Sequence, residues 1–189
     1  MVARTRRWTR HEYERLVEAE ILRPDEKIEL LDGWLLVREP QPGPHFTATR
    51  LVEEALRTAF GSGWDVRVQG PLALGRSSEL EPDVSVVRGS PRDFRDAHPT
   101  GAALVVEVAK ASLGLDRTRK ARVYARGGIA DYWIVNLVTG VLEVYREPVA
   151  LDEARRRWGY RMVRTLGPGE TVSPLAAPQA SIPVADLLP

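Results

Sequence analysis

Between positions 103 and 137 the chain runs ALVVEVA, then SLGLDRTRKARVYARGG, then DYWIVNL. The outer segments are rich in β-branched or aromatic residues, as strands are. The middle one is polar and helical in character, and Gly127 and Gly128 mark its stop. A strand, a helix and a strand in succession form a crossover, and a crossover joins parallel neighbours of one sheet. This segment alone predicts an α/β fold in which a mixed sheet is flanked by helices.

The other segments fit that frame. Thr9 followed by an acidic turn predicts a helix over about 10–20. KIELLDGWLLV is two apolar runs around Asp32 and Gly33, which predicts a tight hairpin. The loop EPQPGP precedes HFTATRLVEEALRTAFG, whose Leu51, Val52, Ala55, Leu56 and Ala59 recur at helical spacing up to Gly61. WDVRVQGPLAL, ELEPDVSVV and ALVVEVA read as three strands, and VLEVYRE pairs with DYWIVNL across Thr139 and Gly140. SIPVADLLP reads as a strand and a closing turn. At 189 residues one domain over 1–189 is expected, with its core at about 44–147 and a tail over 148–189.

Composition narrows the chemistry. There is no cysteine, so disulfides, thiolate nucleophiles and Cys-ligated zinc are excluded, and a metal must be held by oxygen or histidine. Twenty-seven basic against 26 acidic residues leave no long-range field to attract nucleic acid, so a nucleic-acid surface must be local. Basic residues gather at Arg4, Arg6, Arg7 and Arg10, at 117–126, and at Arg155, Arg156 and Arg157; each group is also consistent with a solvated face. The N-terminus has positive charge but no apolar run behind it, which predicts no membrane anchor and a cytoplasmic protein. GxGxxG, Walker, GxSxG and HExxH motifs are absent.

Two carboxylates stand out. Asp83 enters an apolar strand directly after Pro82, on the face of Ser85 and Val87. Glu107 lies inside a run apolar enough to be buried on both faces, where a lone charge costs several kcal/mol unless it is paired or bound to metal. From neighbouring strands the two would make an oxygen site for a hard cation such as Mg²⁺ or Mn²⁺. The alternative is a buried glutamate bridged to an Arg or Lys of the next helix. A hydrolytic site also calls for a cation that orients or deprotonates water. Strand parity turns Lys110 away from Glu107, whereas Lys120 sits on the returning helix one turn after Asp116 and can reach back; a solvated surface lysine is the competing reading for either. His45 at the entry to the long helix, Glu29 on the first hairpin strand and Gln69 on the strand before that of Asp83 are accessory candidates, each with an ordinary structural reading beside it.

In order along the chain, ELLDG, PGPH, EPDVSVV and VVEVAKASLGLDRTRKARVYARGGIADYWIVNL resemble the Uma-type restriction endonucleases, a branch of the PD-(D/E)XK nuclease superfamily. The likeness extends to PGE and IPVADLL in the tail and implies a restriction-endonuclease-like sheet. It assigns the superfamily's PD to Pro82 and Asp83 and its acidic partner to Glu107. Ala109 stands where the motif has lysine, and the resemblance moves that lysine to Lys120, with Asp116 supporting it and Glu29 and His45 at accessory positions. It implies Mg²⁺, with Mn²⁺ as substitute, held by Asp83, Glu107 and the backbone carbonyl of Val108. The expected activity is hydrolysis of nucleic acid, DNA foremost, by a homodimer. A catalytically silent nucleic-acid-binding or assembly module of the same fold is an alternative reading, as is a Mg²⁺-dependent hydrolase of a small phosphorylated substrate.

Overall fold

The computed structural model describes residues 5–23, 25–38, 40–152 and 157–189. Arg4, Arg155 and Arg156 of the basic groups lie outside them. Helix α1 (Arg10–Glu18) opens on a capping box: Thr9 Oγ1 accepts from the Glu12 N–H at 3.3 Å, and the Glu12 carboxylate accepts from the Thr9 N–H at 2.9 Å. It stops short of position 20, where Glu20 takes φ 54°, a left-handed conformation that helix cannot continue through. β1 (Ile28–Leu31) and β2 (Trp34–Val37) form the expected hairpin, turned by Asp32 at φ 50° and Gly33 at φ 79°.

α2 (Gly43–Phe60) begins earlier than its periodicity suggests, because Pro44 in the first turn costs no hydrogen bond. His45 therefore lies within that turn rather than before it. The segments expected as single strands at 64–74 and 79–87 each divide. The first gives β3 (Trp64–Val68) and β4 (Leu72–Ala73), the second β5 (Glu79–Leu80) and β6 (Val84–Arg88). Gln69 at φ 49° with Gly70 and Pro71 interrupts the first, and Pro82, which lacks an N–H, interrupts the second. Gln69 is therefore a bend residue past the end of β3, not a residue alternating within it.

β7 (Leu104–Ala109) leads into α3 (Leu113–Leu115), a π-helical turn (Asp116–Lys120) and α4 (Ala121–Arg126), and the chain returns as β8 (Asp131–Asn136). β9 (Val141–Asp152) and β10 (Arg157–Leu166) form a long antiparallel pair. β11 (Thr171–Val172), β12 (Ile182–Pro183) and a 3₁₀ turn (Val184–Leu187) end the chain, so the tail carries the strand and turn expected of it.

The main sheet has six strands in the order β10-β9-β8-β7-β6-β3, with β7 and β8 parallel and the other neighbours antiparallel. A smaller sheet runs β2-β1-β5-β4, so both broken segments pass from one sheet to the other. One face of the main sheet packs under α2, with Ala48, Val52, Leu56 and Phe60 against Val84, Val106, Val108 and Trp133. The terminal Val184 and Leu187 join this layer. The opposite face carries Val105, Ala109, Tyr132 and Ile134 against Val123 and Tyr124 of α4 and Leu31, Leu72 and Leu80 of the smaller sheet. All six residues of β7 are buried. Each buried Val or Leu there contributes about 1.5–3 kcal/mol, enough together to offset the cost of Glu107 among them. No helix among the described residues is long and apolar enough to cross a membrane.

Candidate active site

Asp83 stands where the chain leaves the smaller sheet for the main one. Pro82 cannot extend a ladder, so the Asp83 side chain is released at the strand's entry and turns to the face of Ser85, which is also the face of Val105 and, by alternation, Glu107. Its Oδ2 accepts from the backbone N–H of Val108 at 2.9 Å and lies 3.2 Å from His45 Nε2. Its Oδ1 accepts from Arg38 Nη2 and from Gln41 Nε2, both at 3.1 Å. Burial pushes this carboxyl up, but His45, the Val108 N–H and Arg38 together hold it below the usual aspartate value. It is an anion at neutral pH.

Glu107 points to the opposite side of β7 from Val108 and meets the returning helix. Lys120 Nζ donates to its Oε1 at 2.8 Å, and Tyr124 donates its hydroxyl proton to the same oxygen at 2.5 Å. Lys120 and Tyr124 are four residues apart and so share a helix face. The helix widens just before them: the Ala121 N–H reaches back to the carbonyl of Asp116, five residues away. Such π-turns are frequent at functional sites. This one brings Asp116 Oδ1 to 3.6 Å from Lys120 Nζ, while Tyr132 donates to the Asp116 carbonyl at 3.1 Å. Glu29 arrives from β1 and links the two halves. Its Oε2 is 3.9 Å from Lys120 Nζ and its Oε1 3.2 Å from Arg38 Nε. Burial pulls the Lys120 ammonium down, but Glu107, Glu29 and Asp116 outweigh it and lift its pKa above the ordinary lysine value. Lys120 stays protonated, which suits it to orienting water or stabilising negative charge rather than to accepting a proton.

Four buried carboxylates, Glu29, Asp83, Glu107 and Asp116, share this cluster with the cations Arg38 and Lys120. If all four are ionised, two negative charges are left over. The cluster meets part of that excess with protons: burial, with Glu107 adding to it, raises Glu29 to about 7 and Asp116 to about 7 against the pull of Lys120. Both carboxylate oxygens of Asp116, and Oε1 of Glu29, lack a hydrogen-bond donor. The negative charge that remains and the carboxylate oxygens that carry it fit a hard divalent cation. Among the described residues no three His, Asp or Glu side chains already form a metal cage, so coordination requires some of the ion pairs to open.

Asp83, Glu107, Lys120, Asp116, Glu29 and His45 are thus brought into one connected network. Gln69 joins only indirectly, donating to Gln41 Oε1 at 2.8 Å. Lys110 is exposed and lies just past the end of β7 at Ala109, where strand parity no longer applies. The ion pair between Glu107 and a lysine of the next helix is present, and that pairing by itself is what a purely structural glutamate would also make. Asn136 donates to Glu143 Oε1 at 2.8 Å and accepts from the Val138 N–H, tying down the turn after β8. Arg38, Gln41 and Tyr124 were not singled out in the sequence. Tyr124 carried a usable signal in its spacing from Lys120; Arg38 and Gln41, in irregular chain around a Pro-rich loop, carried none.

A profile of a family described as putative restriction endonuclease matches residues 10–185. Among solved structures, a putative nuclease from Anabaena variabilis is 14% identical, covers 91% of this chain and 96% of its own, and superimposes with a TM-score of 0.70, a likeness of fold. No curated protein matches the chain.

Proposed function

Since the chain belongs to the Uma2 family of putative restriction endonucleases, we propose that it is a Mg²⁺-dependent endonuclease that hydrolyses phosphodiester bonds of nucleic acid, DNA foremost. The observation that carries this reading is the network joining Asp83, Glu107 and Lys120, in which buried carboxylates outnumber the cations Arg38 and Lys120. Asp83, Glu107 and the carbonyl of Val108 would hold the ion. Bound there, Mg²⁺ lowers the pKa of water and offsets charge on the scissile phosphate. Asp83 is kept ionised and oriented through Oδ2 by the Val108 N–H and His45, and its Oδ1, now held by Arg38 and Gln41, would have to be freed for the ion. Lys120, protonated and fixed between Glu107 and Asp116, orients the attacking water and stabilises the negative charge that develops. Tyr124, itself buried, holds Glu107 in its rotamer by donating to Oε1. Cutting both strands of a duplex calls for two such sites, which favours a homodimer.

The test is Mg²⁺-dependent nicking of supercoiled plasmid by wild type, Asp83→Ala, Lys120→Ala and Lys110→Ala. Wild type and the Lys110 variant are expected to cut, and the other two to lose at least about 100-fold, the usual span for groups of this kind. Equal cutting by all four would place the activity elsewhere. No cutting by any, with Mg²⁺ still bound, would favour a silent nucleic-acid module.

A further inference from the structure

Arg38 is placed as a metal ion would be. Its three guanidinium nitrogens each take a different partner: Nε lies 3.2 Å from Glu29 Oε1, Nη2 donates to Asp83 Oδ1 at 3.1 Å, and Nη1 donates to the carbonyl of Glu81 at 2.9 Å, with the Glu81 carboxylate 3.6 Å away. Only 14% of the side chain is exposed. Arg38 follows directly on β2, so its backbone is anchored by the hairpin, where its N–H donates to the Lys27 carbonyl at 2.8 Å. The planar fork spans carboxylates that come from two sheets, Glu29 from β1 and Asp83 from the start of β6. An ammonium, a compact point charge, lacks the planar fork that lets Arg38 hydrogen-bond two separated acceptors while pairing with a third carboxylate.

We propose that Arg38 is a resident counter-cation of the metal site: it holds Asp83 and Glu29 together while the metal is away, and must release Asp83 Oδ1 when the metal enters. The inference rests on the metal reading given above. Two consequences follow from electrostatics. An arginine and a divalent cation cannot both neutralise Asp83 at close range without repelling one another, so Arg38 weakens metal binding. The same contact keeps two buried carboxylates from flying apart when the ion is gone, so Arg38 stabilises the metal-free protein. The binding of metal is thereby coupled to the release of a side chain at the mouth of the Pro-rich loop, and coupling of this sort is reciprocal.

The experiment is a calorimetric titration of the full chain with Mn²⁺, comparing wild type with Arg38→Gln and with Arg95→Gln, which removes the same charge from a fully solvated position. Arg38→Gln is expected to bind Mn²⁺ about tenfold more tightly, within the ordinary range of such couplings, and Arg95→Gln to match wild type. Should Arg38→Gln fail to fold, the ¹⁵Nε–¹Hε resonance of Arg38 in wild type, titrated with Mg²⁺, gives the second readout: it is expected to shift as the ion saturates the site. Unchanged or weaker Mn²⁺ binding by Arg38→Gln, an equal gain in both variants, or an Arg38 resonance unmoved at saturation would overturn the proposal while leaving the metal site standing. Absence of Mn²⁺ binding by wild type and both variants would overturn it together with the metal reading.

Discussion

Replacing Lys120 by methionine removes a cation that reaches three carboxylates, at 2.8 Å for Glu107, 3.6 Å for Asp116 and 3.9 Å for Glu29. Methionine keeps most of the stem's volume, so the loss is electrostatic rather than steric. Removing one partner of a buried ion pair costs about 3–5 kcal/mol, because the carboxylate left behind must be protonated or stay uncompensated. A chain of this length loses about 2–4 °C in melting temperature per kcal/mol, so the expected fall is about 6–20 °C. Glu107→Gln leaves Lys120 with Asp116 and Glu29 and should cost less. The double variant should recover part of the loss, giving a coupling of about 1–3 kcal/mol. Thermal unfolding followed by circular dichroism, in EDTA so that no metal substitutes for the ammonium, measures all three. Lys120 itself stays protonated across neutral pH, since a group with a raised folded pKa stabilises fully below its unfolded value and loses that effect only as pH rises through the higher folded one, so any change of its contribution near pH 7 comes from the ionisation of Glu29 and Asp116. A Lys120→Met cost below about 1 kcal/mol that adds independently to that of Glu107→Gln would refute the reasoning.

Tyr124→Phe deletes the hydroxyl that donates to Glu107 at 2.5 Å without opening a cavity; a bond to a charged acceptor is worth about 1.5–3 kcal/mol, to be read from urea unfolding at neutral pH. Glu79, on β5, is raised to about 7 by burial and then by Glu14, against the pull of Arg10, and its Oε2 has no hydrogen-bond donor. A raised carboxyl stabilises the fold fully below its unfolded value and loses that contribution as pH rises through about 7, so Glu79→Gln should raise the melting temperature at pH 8.5, by the equivalent of about 1 kcal/mol after allowing for partial solvation, and not at pH 5. Gly33→Ala places a methyl group 2.7 Å from Arg7 Cβ at a backbone φ of 79°, so it should destabilise by more than about 1 kcal/mol in the same assay; an unchanged midpoint would show that the N-terminal segment yields.

Much of this arrangement is local and therefore readable in the chain. The capping box of Thr9 and Glu12, the hairpin at Asp32 and Gly33, and the strand, helix and strand over 104–136 all follow from neighbours in sequence, and all are present. Lys120 is set apart from Lys110 because a helix brings a long side chain back over the sheet, whereas Lys110 lies past the end of β7. The divided strands were less legible. Gln69-Gly70-Pro71 and Glu81-Pro82 are visible as breakers, yet nothing nearby says that the halves join different sheets.

Residue types and their periods determined that Asp83 and Glu107 would enter apolar strands and that Lys120 could reach back from the returning helix, since pleat and helical repeat are properties of a few consecutive residues. Tertiary structure decided the rest of the site. Only the approach of the smaller sheet brings Glu29 and Arg38 beside Asp83, and only the π-turn sets Asp116 against Lys120. The charge balance of the cluster, and hence the raised pKa values of Glu29 and Asp116, depends on distances between groups that come from five separate segments. Coulomb energy and desolvation are set by those distances and by burial, quantities that exist only once the segments have packed.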